Sequence, residues 1–201
     1  SLGETALKIR NDKYSAPAVP IPGWTTAEEL EWLYLRAREN RVIVEVGCAY
    51  GRSSHAILTG NFEAFRNEGR VYCVDPWPVP CKNNGKDEFD SSRKCTERRT
   101  TFFLRCGHFP NLNVWEMTSY RAHFVMMLFD VRPDMVFLDP GTINIIDSLA
   151  TWKHYARFLC GHDYSEKYPE LKSHLEFDSR IKFVKGTSIW YVEEENWLWC
   201  P

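Results

Sequence analysis

The stretch from Arg41 to Leu58, RVIVEVGCAYGRSSHAIL, constrains this chain more than any other. Val42, Ile43, Val44 and Val46 form a β-branched run of the kind buried on both faces of a parallel sheet. Glu45 interrupts the run, and Gly47 and Gly51 then bracket a sharp turn where backbone can approach a ligand closely. From Arg52 onward the pattern predicts a helix whose first N–H groups point back at that turn. Strand, glycine loop and helix in this order predict a ligand cradle at the start of a doubly wound α/β domain. The spacing Gly-x-x-x-Gly fits a dinucleotide pyrophosphate loop poorly, because that loop needs Gly-x-Gly-x-x-Gly. A second apolar strand, VYCVDPWP, ends in Asp75, where a carboxylate can accept from both hydroxyls of a ribose. Glu45, Gly47 and Asp75 together describe an adenosine-type ligand with no obvious need for phosphate. The alternative is a structural glycine turn and an exposed acid, which would leave their order along one α/β crossover unexplained.

At 201 residues the chain is long enough for one domain with a full core. Its net charge of −2 provides no long-range attraction toward nucleic acid. No apolar run reaches membrane-spanning length, and the N-terminus carries no signal-peptide pattern. Seven cysteines are present, none in Cys-x-x-Cys spacing, and Cys48, Cys73, Cys106 and Cys160 lie in or beside apolar segments. That distribution predicts reduced, mostly buried thiols in a reducing, cytoplasmic compartment rather than disulfides or zinc. The initial Ser suggests a trimmed tag or a domain excised from a longer chain.

Residues 1–23 read as an extended, proline-rich arm lying on a single domain of residues 24–201. Thr26-x-x-Glu29 is a capping box that opens a helix running to about Asn40. Pro76 to about Asp90, with three prolines, cannot be a core element and reads as a substrate loop or a passive surface loop. A helix with a local basic face is expected from about Ser92 to Cys106. Strands are expected at Leu112–Met117, Met135–Asp139 and Arg157–Asp163, with a helix from Ile143 to Tyr155. Ile181 to Glu193, turning at Gly186–Thr187, is a hairpin signal. The tail NWLWCP adds two tryptophans that would pack onto the surface or a dimer partner. The fold class is therefore α/β, a doubly wound, mostly parallel seven-stranded sheet with a C-terminal antiparallel hairpin and helices on both faces.

With EVGCAYGRSS, VDPW, WEMTSY, DMVFLDP, CGHDY and a late SIWYVE in this order, the chain resembles a class I S-adenosylmethionine (SAM)-dependent methyltransferase. Within that superfamily it is most similar to the methyltransferase-24-like branch, many of whose members methylate sugars or other hydroxylated small molecules. The motifs span Val42 to Tyr164, and SIWYVE fits the last strand. The resemblance implies SAM as cofactor and S-adenosylhomocysteine (SAH) as product. It implies cofactor contacts from Glu45, Gly47, Ala49, Gly51, Ser53, Asp75, Thr118, Ser119 and Asp139. Trp77 would cover the adenine or form a structural corner. Some relatives are fused to glycosyltransferases, including in large viruses, which implies the host cytoplasm if this chain is viral.

A sulfonium methyl is already a strong electrophile, so the protein's task is alignment and removal of the hydroxyl proton by a base or a metal. Asp139, His162 and Asp163 stand at the carboxyl ends of the fourth and fifth strands. His162 is the expected base, Asp163 its orienting partner or a cation ligand, and Asp139 a metal ligand, base or substrate-orienting group. Asp139 could instead cap the helix that follows. Metal-dependent relatives carry Asp-x-Asp after strand four and a pair of Asp after strand five. Here those places read Asp139-Pro140-Gly141-Thr142 and His162–Asp163, which weakens a divalent-metal site. The leading reading is an O-methyltransferase acting on a sugar or glycan hydroxyl. The alternatives are nucleic-acid or protein N-methylation, or a degenerate domain that binds SAM without turnover.

Overall fold

The computed structural model describes residues 18, 20–77, 88–141 and 145–192. Most of the expected arm, most of the loop after Asp75 and the tryptophan-bearing tail lie outside these residues. Along the chain run α1 (Ala27–Ala37), β1 (Val42–Val46), α2 (Arg52–Phe65) and β2 (Arg70–Val74). They are followed by α3 (Glu88–Cys106), β3 (Leu112–Trp115), α4 (Ser119–Leu128), β4 (Met135–Leu138) and α5 (Ile145–Trp152). The last elements are β5 (Phe158–Gly161), α6 (Pro169–Phe177), β6 (Lys182–Phe183) and β7 (Trp190–Val192).

The seven strands form one sheet in the order β3-β2-β1-β4-β5-β7-β6. β1 to β5 pair in parallel, and β7 pairs antiparallel with both β5 and β6. The expected sheet and terminal hairpin are thus present. The period of two sorts the strand residues onto two faces. Ile43, Cys73, Phe137 and Cys160 pack with Leu33, Ile57 and Phe102 of α1, α2 and α3. Val44, Val46, Val136, Leu138 and Leu159 pack with Met126, Leu149, Trp152, Leu171 and Leu175 of α4, α5 and α6. Helices α4 and α6 lie outside the elements expected from sequence, and α3 begins at Glu88, inside the expected loop. In α4, SYRAHFVMML is apolar around most of its circumference and shows little helical period.

Strand order reverses at β1, which lies between β2 and β4. In an open α/β sheet the crevice beyond the carboxyl ends at such a reversal is where ligands bind. The ladders extend into the loops there: Gly47 N–H donates to Val74 O, Asp139 N–H to Val46 O and His162 N–H to Leu138 O. These bonds bring the segments after β1, β4 and β5 together along one edge of the sheet.

Candidate functional site

The glycine loop begins where β1 meets β4. Gly47 has φ +91°, and a Cβ there would lie 2.1 Å from the backbone oxygen of Asp139. Only glycine lets these strand ends approach this closely. Gly51, at φ +87°, caps α2, and a Cβ there would meet Cys106 Sγ at 2.8 Å. Between them Ala49 holds φ +45° without being glycine. The strain is compensated by contacts: Ala49 N–H donates to Asp75 Oδ2 at 2.9 Å, and Trp77 Nε1 donates to Ala49 O at 2.8 Å. Burial raises the pKa of Asp75, and backbone N–H groups of the loop, that of Ala49 first, oppose the shift.

The first turn of α2 contains no acid, and its cap makes no side-chain hydrogen bond. Its leading N–H groups therefore present a partial positive charge at the crevice. Glu45 and Ser53 lie beneath this loop rather than on the crevice wall. Ser53 Oγ donates to Glu45 Oε1 at 2.6 Å, and Cys73 Sγ approaches Glu45 Oε2 at 3.6 Å. Both residues are buried, and burial raises the Glu45 pKa. Both side chains brace the loop and the start of α2 from inside the core.

Trp77 is also buried, its ring 4.9 Å from that of Phe102, so it forms the corner after β2. Thr118 and Ser119, expected among the cofactor contacts, open α4. Thr118 Oγ1 accepts from Arg121 N–H, while Ser119 Oγ meets Ser148 Oγ at 3.0 Å and accepts from Trp152 Nε1 at 2.9 Å. The Ser119 hydroxyl is thus engaged in joining α4 to α5, and Thr118 is an exposed helix cap.

On the β4–β5 side, Asp139, His162 and Asp163 do converge. His162 Nδ1 lies 3.3 Å from Asp163 Oδ1 and 3.7 Å from Asp139 Oδ1. Asp163 adopts φ +70°, a left-handed conformation that is uncommon outside glycine and turns its carboxylate back toward the imidazole. The other ring nitrogen meets a residue absent from the expected site: His162 Nε2 lies 3.2 Å from Glu29 Oε2. Glu29 is buried in α1 and answers its own capping box, accepting from Thr26 N–H at 2.8 Å. Its second oxygen accepts from Ser188 N–H at 2.8 Å and Ser188 Oγ at 2.7 Å. One carboxylate thus joins α1, the end of β5 and the hairpin. A sequence signal existed: Glu29 lies on the same helical stripe as Leu33 and Ala37, both buried.

The electrostatics change the expected roles. Burial would lower the His162 pKa, but hydrogen bonds to Asp163 and Glu29 and the charge of Asp139 outweigh it and raise the value to about 10. For Glu29, burial acts upward, but bonds from His162, Thr26 and Ser188 bring the carboxyl down to about 2. Burial raises Asp139 to about 8 despite the nearby imidazolium. At neutral pH His162 is therefore a cation donating from both ring nitrogens, a state unsuited to the neutral base expected from sequence. Asp139 is the group of this cluster whose proton exchanges near neutrality. The neighbouring Tyr164 stacks on Phe183 at 3.9 Å and donates to Glu176.

The sheet order and the glycine loop at its switch point are those of the class I methyltransferase fold, and solved structures agree. An O-methyltransferase from Bacillus cereus, solved in complex with SAH, superposes with TM-score 0.55 at 15% identity, over 92% of this chain and 89% of that one. An SAH-bound methyltransferase from Podospora anserina gives TM-score 0.55 at 12% identity, over 98% and 97%. A methyltransferase from Geobacter sulfurreducens gives 0.54 at 17% identity, over 96% and 89%. At these identities the likeness establishes the fold. No protein-family model matches the chain, and no curated protein is significantly similar to it in sequence.

Proposed function

We propose that this chain is a SAM-dependent O-methyltransferase that methylates a hydroxyl of a sugar, glycan or similar small molecule and releases SAH. The observation that carries the reading is a convergence at the switch point of the sheet, where Gly47 lies against the backbone of Asp139. There the Asp75-braced glycine loop and an acid-free helix start meet the Asp139–His162–Asp163 cluster. The residues fit an adenosyl ligand. Asp75 stands at the end of β2, where its carboxylate would accept from ribose hydroxyls, and the first N–H groups of α2 suit the amino-acid carboxylate. When bound, SAM supplies an electrophilic methyl on a sulfonium.

The remaining chemistry belongs to the chain. Ionised Asp139 takes the proton of the acceptor hydroxyl as its oxygen gains the methyl group, and burial makes this carboxylate a stronger base than an ordinary one. His162, held as an imidazolium by Glu29 and Asp163, stays charged and favours the ionised form of Asp139. Three carboxylates around one cation disfavour an anionic acceptor, which supports a neutral polyol such as a sugar. The atoms of Asp139, His162 and Asp163 lie close enough for a shared ion. Two carboxylates and a doubly hydrogen-bonded imidazolium nevertheless do not make the oxygen-rich set that Mg²⁺ or Ca²⁺ takes, so no step is assigned to a metal. A second reading is a domain that binds SAM without turnover, favoured by Pro140–Gly141 where metal-dependent relatives carry another acid.

Calorimetry with SAH tests the cofactor site. Binding is expected, and Asp75→Ala should weaken it by roughly 10- to 100-fold through loss of a charge-assisted contact. Unchanged affinity would remove Asp75 from the site. SAH release with a panel of neutral and anionic glycans then separates the two readings: turnover on neutral acceptors supports methyl transfer, whereas binding without turnover supports the silent domain.

A further inference from the structure

The surface helix α4 is built the wrong way round for a helix facing water. Its inner residues Ala122 and Met126 are buried against the sheet. Its outer residues are Tyr120, Phe124, Met127 and Leu128, at spacings that place all four on one face, and Phe129 follows at the C-cap. They are 70%, 49%, 47%, 65% and 75% exposed, in that order. An amphipathic helix presents polar residues here, and one that is apolar all round is ordinarily buried. The only formally charged residue in the helix, Arg121, borders this stripe, three residues before Phe124 and seven before Leu128.

We propose that the outer face of α4 is a self-association surface through which two copies of this chain pair about a two-fold axis at Phe124. Spacing supports an antiparallel pairing. Tyr120 and Leu128 lie one helical turn before and after Phe124. An isologous contact therefore sets Phe124 against Phe124 and Tyr120 of each copy against Leu128 of the other. Area supports a stable pair. At 150–250 Å² for a large side chain, the exposed fractions of the four stripe residues sum to on the order of 450 Å² of mostly apolar surface per copy. A standard interface buries about 800 Å² per partner, and the rim of an antiparallel helix pair supplies the remainder. Charge disfavours a lipid surface as the occupant. A membrane-lying helix carries several basic residues beside its apolar face, whereas α4 has one, in a chain of net charge −2. The pairing is independent of methyl transfer, because α4 packs on the sheet face opposite α1, α2 and α3.

Sedimentation velocity on the purified chain, from low micromolar to submillimolar concentration, tests it. A concentration-dependent dimer is expected, and Phe124→Asp should weaken association by roughly thirtyfold or more, the effect of losing a central aromatic anchor. Circular dichroism should be unchanged, because the Phe124 ring is half exposed. Under mild oxidation Phe124→Cys, on the axis, should cross-link to itself, whereas Tyr120→Cys alone should not. A monomer at every concentration, or a dimer indifferent to Phe124→Asp, overturns the proposal. A monomer that floats with phosphatidylcholine vesicles through the same residues would assign the face to lipid instead.

Discussion

At the residue scale, the site depends on what burial and neighbours do to three titrating groups. Asp139→Asn keeps the shape but removes the proton acceptor. Turnover should fall by roughly 10²- to 10⁴-fold while SAH affinity, measured by calorimetry, stays within about twofold. With Asp139 raised to about 8, kcat/KM for a neutral acceptor should climb with pH through that value, because only the ionised form accepts a proton. A profile that is flat there would return the base to another group. His162 shows why its role was not legible from sequence. The ordinary imidazole pKa of 6.5 suggested a base, but Glu29 and Asp163 at its two nitrogens turn it into a standing cation.

At the element scale, two junctions hold the site together. Glu29 ties α1 to the end of β5 and to the hairpin, and its sign in pH is definite. The His162 pKa, raised from 6.5 to about 10, contributes stability that is complete below 6.5 and lost as pH rises toward 10. The Glu29 pKa, lowered from 4.5 to about 2, contributes stability that is complete above 4.5 and lost as pH falls toward 2. Asp139 acts the other way, with a cost that grows from its ordinary 3.8 up to about 8. Glu29→Gln leaves a buried imidazolium short of a partner and should cost about 3 kcal/mol. It should also flatten the fall in Tm on the alkaline side, which thermal melts across pH would record. The second junction is Gly47 against the start of the β4 loop. Gly47→Ala places a Cβ on the Asp139 backbone at a left-handed φ, and chemical denaturation should register a loss of about 3 kcal/mol.

At the scale of the whole molecule, the crevice lies between segments that different parts of the chain contribute, so a ligand bridging them should stabilise the entire fold. SAH at about 100 times its Kd should add about 2.7 kcal/mol of stability, visible as a raised Tm. Chelator should leave both the melt and the turnover unchanged, as expected for a donor set unsuited to a hard cation. Among the described residues no helix is long and apolar enough to cross a membrane, so the exposed face of α4 has the length of a surface contact rather than a span.

Much of the architecture could be read along the chain because its signals are local. Apolar runs with an acid inside or just after them marked β1, β2 and β4. Thr26-x-x-Glu29 marked the start of α1, and the turn at Gly186–Thr187 marked the hairpin. The loop that Asp75 braces was likewise legible, since its glycines and acid occupy fixed places after two strands. Helix α4 was not, because residues apolar on every side carry no period. Amino-acid order alone determined the strands, the helices other than α4 and α6, and which segments meet at the sheet's reversal. Tertiary structure decided that Glu45 and Ser53 brace the loop from below, that Ser119 bonds to α5, and that Glu29 reaches His162 across 133 positions. The physical reason is that secondary structure follows from neighbours a few residues away, whereas burial, pairing and protonation depend on groups brought together only when the sheet closes.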